Sequence, residues 1–99
     1  KHAAILGDWC SNDYKIHLTR TNFESSNRRT NAKVAHKLVR YEFFKSHVRF
    51  HYRSAAGNPI YGVYEFQAFP GDPNKLRLTR TFYKGKWTAR SSVYSRNCS

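Results

Sequence analysis

The sequence predicts an α+β domain: an N-terminal β-hairpin, one α-helix over about residues 28–44, and a four-stranded antiparallel sheet carrying that helix. Three observations lead there. Apolar residues in the segment 30–44 recur at helical spacing, with Ala35, Leu38, Val39 and Phe43 on one stripe and Val34, Leu38 and Tyr41 beside it. The flanking segments alternate apolar and polar residues at period two, as half-buried strands do. Turn formers are unevenly placed: no Gly or Pro lies between Gly7 and Gly57, whereas four of the five glycines and all three prolines fall in 57–99. Turn-poor sequence leaves room for a helix, and turn-dense sequence suits an antiparallel meander.

In chain order, Tyr14-Lys15-Ile16-His17-Leu18-Thr19 alternates strictly and reads as a strand. Ile5-Leu6 with Trp9 forms its hairpin partner, Gly7 allowing a bend and Asn12-Asp13 a turn. Thr30 or Asn31 is placed to cap the predicted helix. Read as a strand, that segment alternates at 39, 41 and 43, but the doublets Val34-Ala35 and Leu38-Val39 break the alternation. Beyond it, Val48, Phe50 and Tyr52 alternate with Arg49, His51 and Arg53, and Gly57-Asn58-Pro59 marks a turn. The largely apolar run Ile60–Phe69 suits a central strand covered on both faces. Pro70–Asn74 is a tight loop, and Leu76, Leu78 and Phe82 alternate with Arg77 and Thr79. Lys84-Gly85-Lys86 turns the chain into a last strand, Trp87–Tyr94.

Ninety-nine residues suit one domain, 1–99. Eighteen Lys and Arg stand against six Asp and Glu, a net charge of +12. That exceeds what solubility needs and favours an anionic partner. Aromatic residues make up 16% of the chain, which excludes a disordered basic tail. No apolar run approaches the roughly 18 residues of a membrane-spanning helix, so no membrane partner is expected. Two cysteines are too few for a four-thiolate zinc site or a Cys-rich scaffold, and neither metal nor cofactor is expected. With no third thiol to compete, Cys10 and Cys98 predict a disulfide joining the two ends, rather than two unpaired buried thiols. The chain holds no Met and begins Lys1-His2-Ala3-Ala4, as a secreted monomer does once its signal peptide is removed.

The run Tyr61-Gly62-Val63-Tyr64-Glu65-Phe66-Gln67-Ala68-Phe69-Pro70 is similar to a strand of the small guanyl-type microbial ribonucleases. In those enzymes it carries an aromatic residue, a catalytic Glu, another aromatic and then Pro. Trp9-Cys10, Asn27-Arg28-Arg29…Val34-Ala35 and Ser91-Ser92-Val93…Asn97-Cys98 extend the likeness over most of the chain. Together they resemble the RNase-like effectors secreted by powdery mildew fungi (the RALPH effectors). In that family one residue separates the early aromatic from its Cys, whereas Trp9 abuts Cys10. The resemblance implies a microbial ribonuclease-like fold and a secreted protein translocated into host cells. It also implies host RNA or a host protein as partner, and recognition by a plant NLR immune receptor.

Cleavage of RNA through its own 2′-hydroxyl needs a base, an acid and cations around the phosphate. The resemblance supplies His47 or His51, then Glu65, then Arg77 or Arg80. Its fourth member, a His near the C-terminal Cys, has no counterpart, because all five histidines lie within 2–51. The reading is therefore a non-catalytic scaffold in which His47, His51, Glu65 and Arg77 are vestiges. Arg49, Arg53, Arg77, Arg80 and Arg90, interleaved with Tyr52, Tyr64 and Phe82, are expected to bind RNA or a protein partner. The loops 22–31 and 70–74 would set specificity. Two alternatives stand beside this reading. One is an active ribonuclease with Glu65 as its base. The other is a lipocalin-like β-barrel binding an apolar ligand, because Gly7-Asp8-Trp9 resembles the Gly-x-Trp of that superfamily, with Arg90 or Arg96 packing on the Trp. A barrel requires several turns between Asp8 and Ala56, where no Gly or Pro is available.

Overall fold

The computed structural model describes residues 5–54 and 60–98. Within them every regular element is a strand: β1 (Gly7–Cys10), β2 (Tyr14–Leu18), β3 (Asn22–Asn27), β4 (Lys33–Phe43), β5 (His47–Ser54), β6 (Tyr61–Phe69), β7 (Asp72–Tyr83), β8 (Lys86–Ala89) and β9 (Val93–Ser95). From β1 to β7 each strand pairs antiparallel with the next. The far edge of β7 takes β8 along its C-terminal half and β9 along its N-terminal half, so these two short strands share one wall position. β9 then pairs with β1 through Cys10 and Ser95, which closes an eight-stranded up-and-down barrel. The predicted α+β fold, a helix on a four-stranded ribonuclease-like sheet, is therefore not the fold of this chain.

The segment that spaces its apolar residues like a helix is the longest part of the correction. Residues 33–43 form β4, and a β-bulge falls between Leu38 and Arg40. Leu38 opposes Tyr52, Arg40 opposes His51 and Tyr41 opposes Phe50, which leaves Val39 as the extra residue. Inward positions therefore run Val34, His36 and Leu38, then Tyr41 and Phe43. The slip turns a spacing of two into three, and Leu38 to Tyr41 imitates i, i+3. The doublet Leu38-Val39 is the bulge itself.

Turns without Gly or Pro are built from side chains that stand in for backbone. Ser11 Oγ accepts the Tyr14 amide at 3.1 Å between β1 and β2. Thr19 Oγ1 accepts the amides of Thr21 (3.3 Å) and Asn22 (3.0 Å) between β2 and β3. Asn27 Oδ1 accepts those of Arg29 (2.9 Å) and Thr30 (3.2 Å), and Asn31 takes a φ of 61°. Short polar side chains mimic turns in this way. The objection that a barrel lacks turn formers in this half thus fails. Lys84 (φ 51°) and Gly85 (φ 76°) supply the left-handed pair of the tight β7–β8 hairpin. The expected turn at Gly57-Asn58-Pro59 lies outside the described residues.

Inward residues fill the lower part of the barrel. Trp9, Ile16, Leu18, Phe23, Phe50 and Phe66 are essentially inaccessible, and each large side chain so buried contributes about 1.5–3 kcal/mol. Phe23 meets Phe50 edge-on at 6.2 Å, and Phe50 lies 5.0 Å from Phe66. At the end closed by Ile5, Trp9 Nε1 donates to the Ile5 carbonyl at 2.9 Å. The Arg96 guanidinium stacks 3.9 Å from the Trp9 ring centroid and donates to the Leu6 carbonyl at 2.6 Å. Of the two candidates for packing on Trp9, Arg96 does so and Arg90 does not.

The Cys10–Cys98 disulfide forms, spanning 88 residues. Because it ties both sides of the β1–β9 seam, its reduction is expected to lower stability by about 4–5 kcal/mol on the chain-entropy account. Urea denaturation with and without reductant measures this, and Cys10→Ser is expected to reproduce the reduced value. Trp9→Ala removes the plug of the closed end and is expected to cost about 3–5 kcal/mol in the same assay.

Candidate functional site

Period two sorts the polar residues of this barrel into two environments, its mouth and its outer wall. At the end opposite Trp9, the interior opens into a cup of about 310 Å³ lined by Tyr14, Ser25, Tyr52, Tyr64, Leu78, Thr81, Tyr83, Arg90, Ser92 and Tyr94. The floor consists of rings: Tyr64 stands edge-on to Phe23 at 4.8 Å and lies 5.6 Å from Tyr52. Tyr52 in turn lies 4.5 Å from the His36 imidazole, whose pKa burial lowers. Tyr52 and Tyr94 are buried, whereas Tyr14, Tyr83 and Arg90 form the exposed rim.

Glycine shapes this cup. A Cβ at Gly62 would overlap the Tyr52 phenol ring, so the ring lies flat against β6 only because that side chain is absent. Burial holds the deeper phenols neutral. Burial raises the pKa of Tyr52 and Tyr64, and that of Tyr94 to about 12. The charge of Arg90 lowers the pKa of Tyr64 and Tyr94, though less than burial raises it, which places the guanidinium in the field of both hydroxyls. The cup thus combines aromatic walls with hydroxyl donors and one cation.

Apart from Tyr52, Tyr64 and Arg90, the site residues the sequence singles out lie on the outer wall. Arg49 on β5 and Arg80 on β7 flank Glu65 on β6. Arg49 Nε donates to Glu65 Oε2 at 2.8 Å, Arg80 Nε to Oε1 at 2.9 Å, and Thr79 Oγ1 to Oε1 at 3.1 Å. A bulge at Thr79 turns Arg80 outward opposite Glu65, whereas Arg77 opposes Gln67 and lies over Phe69 at 5.3 Å. His47 shares with Glu65, Phe44, Arg49 and Arg80 a shallow depression of about 370 Å³. His51 is engaged elsewhere, its Nε2 lying 3.0 Å from Glu42 Oε1 and its Nδ1 bonding the Tyr61 hydroxyl.

Burial pushes the Glu65 pKa up, but hydrogen bonds from Arg80, Arg49 and Thr79 outweigh it and hold the carboxyl at about 2. Both oxygens are occupied by donors, so this carboxylate is a weak base and a bracing ion. The catalytic roles drawn from the ribonuclease resemblance also assume a helix-and-sheet frame that the chain does not have. Tyr52 and Tyr64, read as interleaved with the arginines, point inward while Arg49 and Arg53 point outward. Arg90 alone of the predicted cations lines the cup. The tyrosine cup was legible only as alternation within each strand, because its five phenols come from five strands. Of the predicted specificity loops, residues 22–27 belong to β3 and 72–74 to β7.

No protein-family model, curated protein sequence or solved structure matches the chain.

Since Glu65 drops from an ordinary 4.5 to about 2 on folding, its contribution is complete above pH 4.5 and lost as pH falls toward 2. That contribution is on the order of 2–3 kcal/mol. Urea midpoints measured across this acid range are expected to fall more steeply for the parent than for Glu65→Gln. Equal slopes would mean that the carboxylate titrates normally.

Proposed function

We propose that the chain is a small ligand-binding barrel of lipocalin-like architecture, whose mouth takes a compact anionic ligand with a flat body. The cup carries this reading. Its volume of about 310 Å³ sits at the low end of the range of about 300–1,000 Å³ for small-molecule sites. Its walls offer ring faces to a planar body. Neutral phenol hydroxyls and the Arg90 guanidinium are donors suited to a carboxylate or sulfonate.

The apolar ligand drawn from the Gly-x-Trp resemblance is not the one this interior favours. A long hydrocarbon tail needs a shaft running down the barrel, and Trp9, Phe23, Phe50 and Phe66 fill that space. The available volume is shallow, wide and lined with hydroxyls. A short ligand seated near the rim fits it.

Calorimetric titration with naphthoate, its methyl ester and oleate tests the reading. Naphthoate is expected to bind, and Arg90→Ala to weaken it about tenfold or more, the value of one charge-assisted hydrogen bond. The uncharged ester is expected to lose a similar factor, and Tyr64→Phe a smaller one. Failure of naphthoate to bind, equal binding by the ester, or oleate as the tightest ligand would each overturn it.

A further inference from the structure

The outer wall carries a second arrangement that the cup does not use. Across five neighbouring strands, outward residues fall into one row. Lys37 on β4 pairs directly with Arg53 on β5, and Arg53 with Tyr61 on β6. Tyr61 lies 6.4 Å from Phe82 on β7, which pairs with Trp87 on β8 at a ring distance of 5.2 Å. Strands are about 4.8 Å apart, so the row spans about 19 Å. It reads cation, cation, ring, ring, ring. The Arg53 guanidinium lies 5.8 Å from the Tyr61 centroid, and that of Arg80 lies 4.0 Å from Trp87.

Two features of this row weaken the fold taken alone. Like charges directly opposite on a sheet are destabilising, yet Lys37 faces Arg53. Among the described residues, Lys37, Arg40 and Arg53 form no ion pair, while the acids of this wall, Glu42 and Glu65, bind Arg49 and Arg80. The bulge at Val39 also turns Arg40 outward, adding a third cation to this end of the wall. At the other end Trp87 is 38% exposed, and Tyr61 and Phe82 are part-exposed. A solvated charged face has no need of a ring row beside it.

We infer that this row binds single-stranded nucleic acid, its phosphates on Lys37, Arg40 and Arg53 and its bases against Tyr61, Phe82 and Trp87. Cations beside ring faces on an antiparallel sheet meet both halves of a nucleotide. A sulfated polysaccharide would use the cations and leave the rings idle, so the rings decide between the two.

Fluorescence anisotropy with a labelled short oligouridylate tests this against an abasic phosphodiester strand of equal length, with heparin as competitor. The base-bearing strand is expected to bind more tightly than the abasic one. Trp87→Ala is expected to weaken oligouridylate by about fivefold to a hundredfold and leave the abasic strand unchanged. Trp87→Phe, which keeps a ring, is expected to retain most of the affinity. Lys37→Gln combined with Arg53→Gln is expected to reduce the log–log salt slope by about 1.4 for both strands. Near-UV circular dichroism and urea midpoints check that each variant is folded. Equal affinity for the two strands, an unchanged oligouridylate affinity in a folded Trp87→Ala, or no binding at low salt would overturn the inference. Displacement by heparin with no base dependence would assign the wall to sulfated polysaccharides instead.

Discussion

The barrel depends on one narrow seam. β9 meets β1 through a single registered pair, Cys10 and Ser95, so backbone hydrogen bonding alone holds that closure weakly. Two side-chain devices reinforce it. The Cys10–Cys98 bond ties β1 covalently to the segment that follows β9. Arg96, next to β9, lays its guanidinium on Trp9 of β1 and bonds the Leu6 carbonyl. The indole N–H of Trp9, bonded to the Ile5 carbonyl on its own side of the seam, fixes the ring on which Arg96 stacks. An open sheet of this length would expose two edges; closure through β9 joins them, leaving the outer edge of β8 without a strand partner among the described residues. With the ring shut, inside and outside become separate environments, which is why the cup and the outer wall carry different chemistry.

Much of this was readable residue by residue, and the fold class was not. The alternation at 14–18 and 48–53 marks β2 and β5 because each has one face in the core. The cysteine pairing followed from there being two thiols. The error came from a single inserted residue, Val39, whose bulge shifts the phase of β4 and imitates a helical stripe. It was compounded by the absence of Gly and Pro between Gly7 and Gly57. Ser11, Thr19 and Asn27 turn the chain here by accepting backbone N–H groups, a role no composition count exposes. Local pattern gives a strand's faces, but the closure that joins β1 to β9 is a long-range fact.

The candidate site was legible in its parts and misassembled as a whole. Arg49, Glu65 and Arg80 do converge, and their convergence is an ion pair that braces β5, β6 and β7. Tyr52 and Tyr64 matter, but on the other side of the wall from the arginines. In a sheet, neighbours in sequence are strangers in space and partners across strands are neighbours. Lys37, Arg53, Tyr61, Phe82 and Trp87 are scattered over fifty residues and adjoin only once register is known.

The bulge in β4 also governs which genetic changes this strand can absorb. Replacing Val39 with another residue leaves the spacing of its neighbours intact, and the half-exposed side chain has little packing to lose. Removing the codon altogether is a different event. It would restore strict two-residue periodicity and leave the faces as they are, with Arg40 and Glu42 outward and Tyr41 and Phe43 inward, at the cost of the local bend that the bulge provides. The strand is thus permissive at this one position in both spelling and length, whereas the same loss from the middle of unbulged β5 would turn its core face to water.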